Sequence, residues 1–301
     1  MSYLEHFGLE REPFSNAPDS RFYYDSDQHR QALIRLMYAV DSSKGLAVLV
    51  GDIGMGKTTL ARRMLDSLPE ERYESSLLVM VHSGVTPDWI LTRIAMQFGI
   101  SDPDPDRLKL LKQLYDRLLE IDASGKKAVV LIDEAQMLQS RELMEEFRGL
   151  LNIEIPGKKL LNIVFFGLRE IEDNLQLDEP LAQRVAVKCH LRSLSLESVE
   201  RYIMHRLKVA GAKASMFAPG AIPAVHSYAG GVPRVINTVC DNALFEASLR
   251  KQDKVTSEIV QTVAGDLGLL GRPMATRTPA PAAEPDNDDI DQMLSRLEQG
   301  A

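Results

Sequence analysis

Five short apolar runs punctuate the chain, at 46–50, 77–82, 128–132, 160–166 and 185–190. Each has the length and the β-branched content of a buried strand. Between them the apolar positions recur at helical spacing. The first such stretch, 57–68, ends before Pro69; the second, 87–98, is stopped by Gly99. The third, 106–121, places Leu108, Leu111, Leu114 or Tyr115, and Leu118 on one face. Strands that alternate with helices predict a parallel sheet covered on both sides. Beyond residue 191 the strand pattern stops. Helices are predicted at 196–209, 219–228, 233–249 and 256–267, where Ala229-Gly230-Gly231-Val232-Pro233 reads as a helix stop followed by a helix start.

These patterns divide the chain into an α/β part at 1–192, which includes an aromatic N-terminal segment at 1–25, and a helical part at 193–268. A Pro-, Ala- and Thr-rich linker follows at 269–286. In the tail, 287–301, Ile290, Met293, Leu294 and Leu297 fall at the spacing of one helix face, behind acidic residues suited to a helix N-terminus. Two readings of it stand: a solvated tail, or a short helix that docks on a partner.

Composition changes this picture little. With 45% hydrophobic and 26% charged residues in 301, the chain has the make-up of an ordinary globular protein. No apolar run approaches the roughly 20 residues needed to cross a bilayer, and the polar start is unlike a signal peptide. Cys189 and Cys240 form no metal or redox pair, which points to reduced thiols and a cytoplasmic location. The net charge is −8, part of it from a tail in which three arginines face six acids, and it argues against non-specific nucleic-acid binding. Six histidines show no metal spacing.

The strongest chemistry follows the first strand. Gly51-Asp52-Ile53-Gly54-Met55-Gly56-Lys57-Thr58 satisfies G-x-x-x-x-G-K-[ST], between a strand and a helix as the motif requires. Glycines at 51, 54 and 56 let the backbone wrap so that its N–H groups face phosphate oxygens. Lys57 supplies a point charge for the outer phosphates and Thr58 a hydroxyl for Mg²⁺. Thr59 lies in the first helical turn, where free amides favour an anion. The implied ligand is ATP with Mg²⁺. The third strand ends in Asp133-Glu134. Alone, that pair could cap the helix that follows. Beside a phosphate loop, Asp133 is expected to serve the metal and Glu134 to polarise the attacking water as general base.

Together with the N-terminal pattern Tyr3-Leu4-Glu5-His6-Phe7-Gly8-Leu9, Pro13-Phe14-Ser15, Pro18-Asp19-Ser20-Arg21-Phe22 and His29, these features resemble the ExeA/GspA-type AAA+ ATPases and relatives from MSHA-pilus and exopolysaccharide-export loci. The resemblance spans about residues 1–268. It implies a P-loop NTPase core with a five-stranded parallel sheet, a helical lid, Walker A and B motifs, and ATP hydrolysis. It further implies that Arg184 is an arginine finger reaching the nucleotide of a neighbouring subunit, making the chain a homo-oligomer, and that Arg234 is the lid arginine called sensor 2. Larger members continue into a transmembrane segment and a peptidoglycan-binding domain; neither is read in these residues, so peptidoglycan contact is not expected. Leu168 stands where relatives carry a polar sensor 1 residue, which implies slow or partner-stimulated hydrolysis.

The resemblance makes the expected function ATP-driven assembly of an envelope machine (pilus, secretion apparatus or polysaccharide exporter), with a protein partner at the inner membrane. Two alternatives stay open: a DNA-associated ATPase of the transposition-regulator or loader kind, and a nucleotide-gated switch with slow turnover. Gln28 and His29 read either as the edge of an adenine pocket or as an ordinary helix start. Trp89, Met137, Met144 and Phe147 are expected to pack in the core.

Overall fold

The computed structural model describes residues 2–17 and 19–270; the linker from residue 271 on and the tail at 287–301 lie outside them. In chain order the elements are α1 (Tyr3–Phe7), α2 (Asp27–Asp41), β1 (Leu46–Gly51), α3 (Lys57–Asp66), β2 (Tyr73–Val79), α4 (Pro87–Gln97), α5 (Arg107–Ala123) and β3 (Lys127–Asp133). Then come α6 (Arg141–Leu150), a small hairpin of β4 (Glu154–Ile155) and β5 (Lys158–Lys159), β6 (Leu161–Gly167), α7 (Glu170–Leu175), α8 (Glu179–Ala182) and β7 (Val185–Leu191). The chain goes on through α9 (Leu196–Val209), α10 (Ala221–Ala229), α11 (Pro233–Leu249) and α12 (Ser257–Asp266).

The five long strands form one parallel sheet in the order β2-β3-β6-β1-β7. Side-chain alternation along each strand divides the interior into two layers. Leu46, Val48 and Val50 of β1 join Val130, Ile132, Ile163 and Phe165 beneath α4, α5 and α6. Ala47 and Leu49, with Val129, Leu131, Val164 and Phe166, pack under α2 and α3. Strands buried on both faces need continuous apolar sequence, which is what made them readable.

Three expectations shift. The second strand begins at Tyr73 and ends at Val79, earlier than predicted. It is a sheet edge, so its half-exposed Glu74 and Ser75 are tolerated where a central strand would need apolar residues. On α5 the buried residues are Leu110, Leu114, Leu118 and Ile121, while Leu108 is 76% exposed. Leucines occur on several faces of that helix, and the sheet, not the spacing, selects one. Trp89 lies at the surface, 36% exposed, with the Arg93 guanidinium 5.7 Å from its ring centroid, whereas Met144 and Phe147 are buried as expected.

The helical part has its own core, built from α9, α10, α11 and α12, and the N-terminal segment packs into it through Leu9, Phe14 and Phe22. Arg206 of α9 fastens that segment. Its buried guanidinium donates to the Pro13 carbonyl at 2.6 Å, the Ser15 carbonyl at 2.9 Å and the Tyr202 hydroxyl at 2.8 Å. It also lies 5.0 Å from the centroid of the Phe22 ring. Arg206→Ala leaves those carbonyls without donors, a loss of roughly 3 kcal/mol. The urea midpoint should fall and the first residues should become open to protease. An unchanged midpoint would mean that apolar contacts alone hold the segment.

Candidate functional site

Strand β1 lies inside the sheet, with β6 on one side and β7 on the other. From its carboxyl end the chain departs toward the β2 edge, so a crevice opens beside it, the place where open parallel sheets take ligands. The loop Gly51–Thr58 fills that crevice. Gly54 and Gly56 hold φ of 80° and 91°, the left-handed region where a side chain is strained. A Cβ on Gly54 would also meet Arg234 Cβ at 2.9 Å, and one on Gly56 would stand 3.1 Å from His29 Nε2. Met55 is buried and anchors the loop, while Asp52 and Ile53 are exposed at its outer turn. Helix α3 starts immediately afterwards with no side-chain cap, leaving its first-turn amides for an anion. Thr58 there is half-buried and Thr59 exposed.

Lys57 is buried, its ammonium donating to the carbonyls of Gly51 at 2.9 Å and Asp52 at 3.1 Å. Burial lowers its pKa, and the negative charges of Glu134, Asp133 and Asp52 oppose that shift. Both acids of the third strand therefore lie within electrostatic reach of the loop lysine. They do so without being on an adjacent strand: β6 runs between β1 and β3. Asp133 is buried; one carboxylate oxygen accepts the Glu134 N–H at 3.0 Å, and the other, Oδ2, is buried with no hydrogen-bond partner. Burial pushes the Asp133 pKa up, and the neighbouring Thr58 hydroxyl and the Glu134 amide pull it back. An unpartnered buried carboxylate oxygen beside a threonine hydroxyl is a donor set that fits a hard divalent cation.

Glu134 adopts the left-handed conformation, with φ 55° and ψ 37°. Its carboxylate accepts a hydrogen bond from Gln136 Nε2 at 2.5 Å. The Gln136 Oε1 accepts the backbone N–H of Leu168 at 3.0 Å. One residue further, Arg169 forms a bidentate ion pair with Asp52 of the phosphate loop, at 2.8 and 3.0 Å. Sequence reading singled out neither Gln136 nor Arg169. Their partners lie 32 and 117 residues away, and no local pattern announces such pairs.

The lid meets the loop through α11. Its second residue, Arg234, donates its backbone N–H to the Gly54 carbonyl at 3.3 Å, and its charge acts on Lys57. Arg184 is placed elsewhere. It precedes Val185, which pairs with Leu46 at the amino end of β1, whereas Gly51 pairs with Leu191. A strand's length, roughly 20 Å, separates Arg184 from the phosphate loop of its own chain. Its guanidinium donates instead to the Arg148 carbonyl at 3.2 Å and Asn152 Oδ1 at 2.6 Å. The start of α2 is a capped helix end that lies against the phosphate loop. Ser26 caps the helix, and His29 Nε2 reaches the Met55 carbonyl at 3.1 Å, touching the loop. Gln28 bridges the amide and carbonyl of Arg192, at 3.0 and 2.8 Å.

Residues 40–175 match the family model described as the AAA domain. Over 270 residues the chain is 37% identical to General secretion pathway protein A of Aeromonas hydrophila, an alignment covering 89% of this chain and 47% of that protein. The chain thus spans about half the length of the curated relative it matches. Among solved structures it is similar to Drosophila ORC bound to DNA, with a TM-score of 0.64 at 15% identity over 98% of this chain and 84% of that one. The ADP form of the Aeropyrum pernix ORC2 protein gives 0.62 at 14%, over 96% and 89%. Identities this low speak to the fold alone. Sheet order, phosphate loop and helical lid define a P-loop protein of the AAA+ class. Within that class the chain is similar to General secretion pathway protein A over most of its own length, in keeping with the ExeA/GspA-type pattern of its N-terminal residues. Among the described residues no helix is long and apolar enough to cross a membrane.

Proposed function

We propose that this protein hydrolyses ATP with Mg²⁺ and that hydrolysis drives or regulates assembly of a bacterial envelope machine. One observation carries the chemistry: a phosphate loop, its buried lysine, an orphaned Asp133 oxygen and Glu134 all converge at one end of the sheet. In this reading the loop amides and Lys57 hold the β- and γ-phosphates, and Arg234 contacts the nucleotide from the lid. Thr58 and Asp133 hold the metal, which when bound neutralises phosphate charge. Glu134 orients the attacking water and takes its proton. Similarity to General secretion pathway protein A supports the envelope assignment, with a protein partner at the inner membrane.

Arg184 cannot reach its own site across the length of a strand, so its proposed action is in trans, in a homo-oligomer. Arg184→Ala should keep Mg·ATP affinity and lose turnover by about 10³-fold or more. Adding Lys57→Ala protein, whose Arg184 is intact, should restore turnover to the Arg184→Ala protein. Full activity of Arg184→Ala alone would remove the finger and the main reason for expecting an oligomer. A second reading, action on DNA, is favoured by the DNA-bound structures of the same fold. The net charge of −8 weighs against it. Steady-state ATPase with and without duplex DNA separates the two: strong stimulation that salt abolishes would replace the envelope reading.

A further inference from the structure

We propose that Gln136 is the positioning residue for Glu134, and that through it the backbone amide of Leu168 takes the part a polar side chain at 168 would play. The proposal rests on the reading of Glu134 as general base.

The chemistry of the contacts fixes the direction of the Gln136 amide. Leu168 offers a backbone N–H, so the side-chain atom facing it must be the acceptor, Oε1, at 3.0 Å. The other end is then Nε2, a donor, and it meets Glu134 Oε2 at 2.5 Å. Flipping the amide would set donor against donor and oxygen against carboxylate. The arrangement therefore has one orientation, and it delivers an N–H to the base.

Surrounding contacts hold the bridge still. Gln136 is only 5% exposed, and its main-chain carbonyl accepts from Asn174 Nδ2 at 3.0 Å. Gly167 lets the turn approach: a Cβ there would sit 3.3 Å from both the backbone nitrogen and the side-chain Oε1 of Gln136. A glutamine needed only to satisfy Leu168 would use its oxygen alone. Here the donor half is spent on a carboxylate that is only half-buried and could be hydrated instead. The end of β6 thus ties both halves of the site together. Through Leu168 and Gln136 it holds the base, and through Arg169 and Asp52 it holds the phosphate loop.

The test is a double-mutant cycle on single-turnover hydrolysis of Mg·ATP, with nucleotide affinity measured alongside. Gln136→Met keeps the volume and removes both hydrogen bonds. It should slow the chemical step by about 10- to 100-fold, the scale of a misplaced catalytic group, while leaving affinity within about threefold. In the Glu134→Gln background the same change should slow hydrolysis by less than about twofold, because the group it positions is gone. Gln136→Glu keeps an acceptor for Leu168 but sets a carboxylate against Glu134, and it should be as slow as Gln136→Met. The proposal is overturned if Gln136→Glu runs at the wild-type rate, if Gln136→Met is equally harmful with and without Glu134, or if both variants lose their thermal transition, which marks a purely structural residue. Should Glu134→Gln itself hydrolyse at the wild-type rate, the base assignment falls, and the positioning role falls with it.

Discussion

Lys57→Ala is expected to abolish measurable binding of Mg·ATP while the protein stays folded. In the structure the ammonium is held by two carbonyls of its own loop, Gly51 and Asp52, and is drawn on by three carboxylates. Burial alone disfavours a charged lysine there, so the site maintains that charge at a cost to itself. Phosphate oxygens offer the ammonium stronger, charge-assisted hydrogen bonds than carbonyls do, each worth about 1.5–3 kcal/mol. Losing two of them weakens affinity by roughly 10²- to 10⁴-fold. Without nucleotide the variant should melt near the wild-type temperature, since removing a buried charge offsets the lost loop contacts. With nucleotide the wild type gains stability as RT ln(1 + [L]/Kd), and the variant should gain none. Calorimetry and a thermal-shift titration measure both halves. Wild-type heat of binding in Lys57→Ala would mean that the glycine loop is not the triphosphate site.

The fold was legible where its signals are local. A motif of eight consecutive residues names the loop, and the apolar run before it names the strand, because a strand covered on both faces must be apolar throughout. The lid helices α9 and α11 carry the predicted bounds because Ser195 and Pro233 mark their starts. What the chain does not announce is which distant pieces meet. No spacing indicates that β6 inserts between the phosphate-loop strand and the Asp-Glu strand. The N-terminal segment, grouped by sequence with the α/β part, gives its Phe14 and Phe22 to the lid core, a contact decided by the fold. Reading Leu168 by its side chain suggested a missing polar contact. What the structure shows at that position is a main-chain contact, the Leu168 N–H on Gln136 Oε1, which no sequence pattern can display.

Glu134→Gln should bind Mg·ATP at near wild-type affinity and hydrolyse it about 10²- to 10⁴-fold more slowly, the range of a lost general base. The substitution removes the proton acceptor and keeps the shape, so the strained left-handed backbone at 134 and the Asp133 Oδ1 bond to the Glu134 N–H need not move. Lys57 loses one of its three favourable charges but keeps Asp133 and Asp52. Affinity should therefore change far less than rate, the pattern of an interaction made only in the transition state. Because the protein then lingers in its ATP-bound form, any assembly or partner complex that depends on that form should persist. Size-exclusion chromatography with Mg·ATP should show the larger species for Glu134→Gln and not for Lys57→Ala. Equal elution of the two variants would separate nucleotide from assembly, whereas a wild-type rate in Glu134→Gln would leave Asp133, Thr58 and the loop as a binding site without a base.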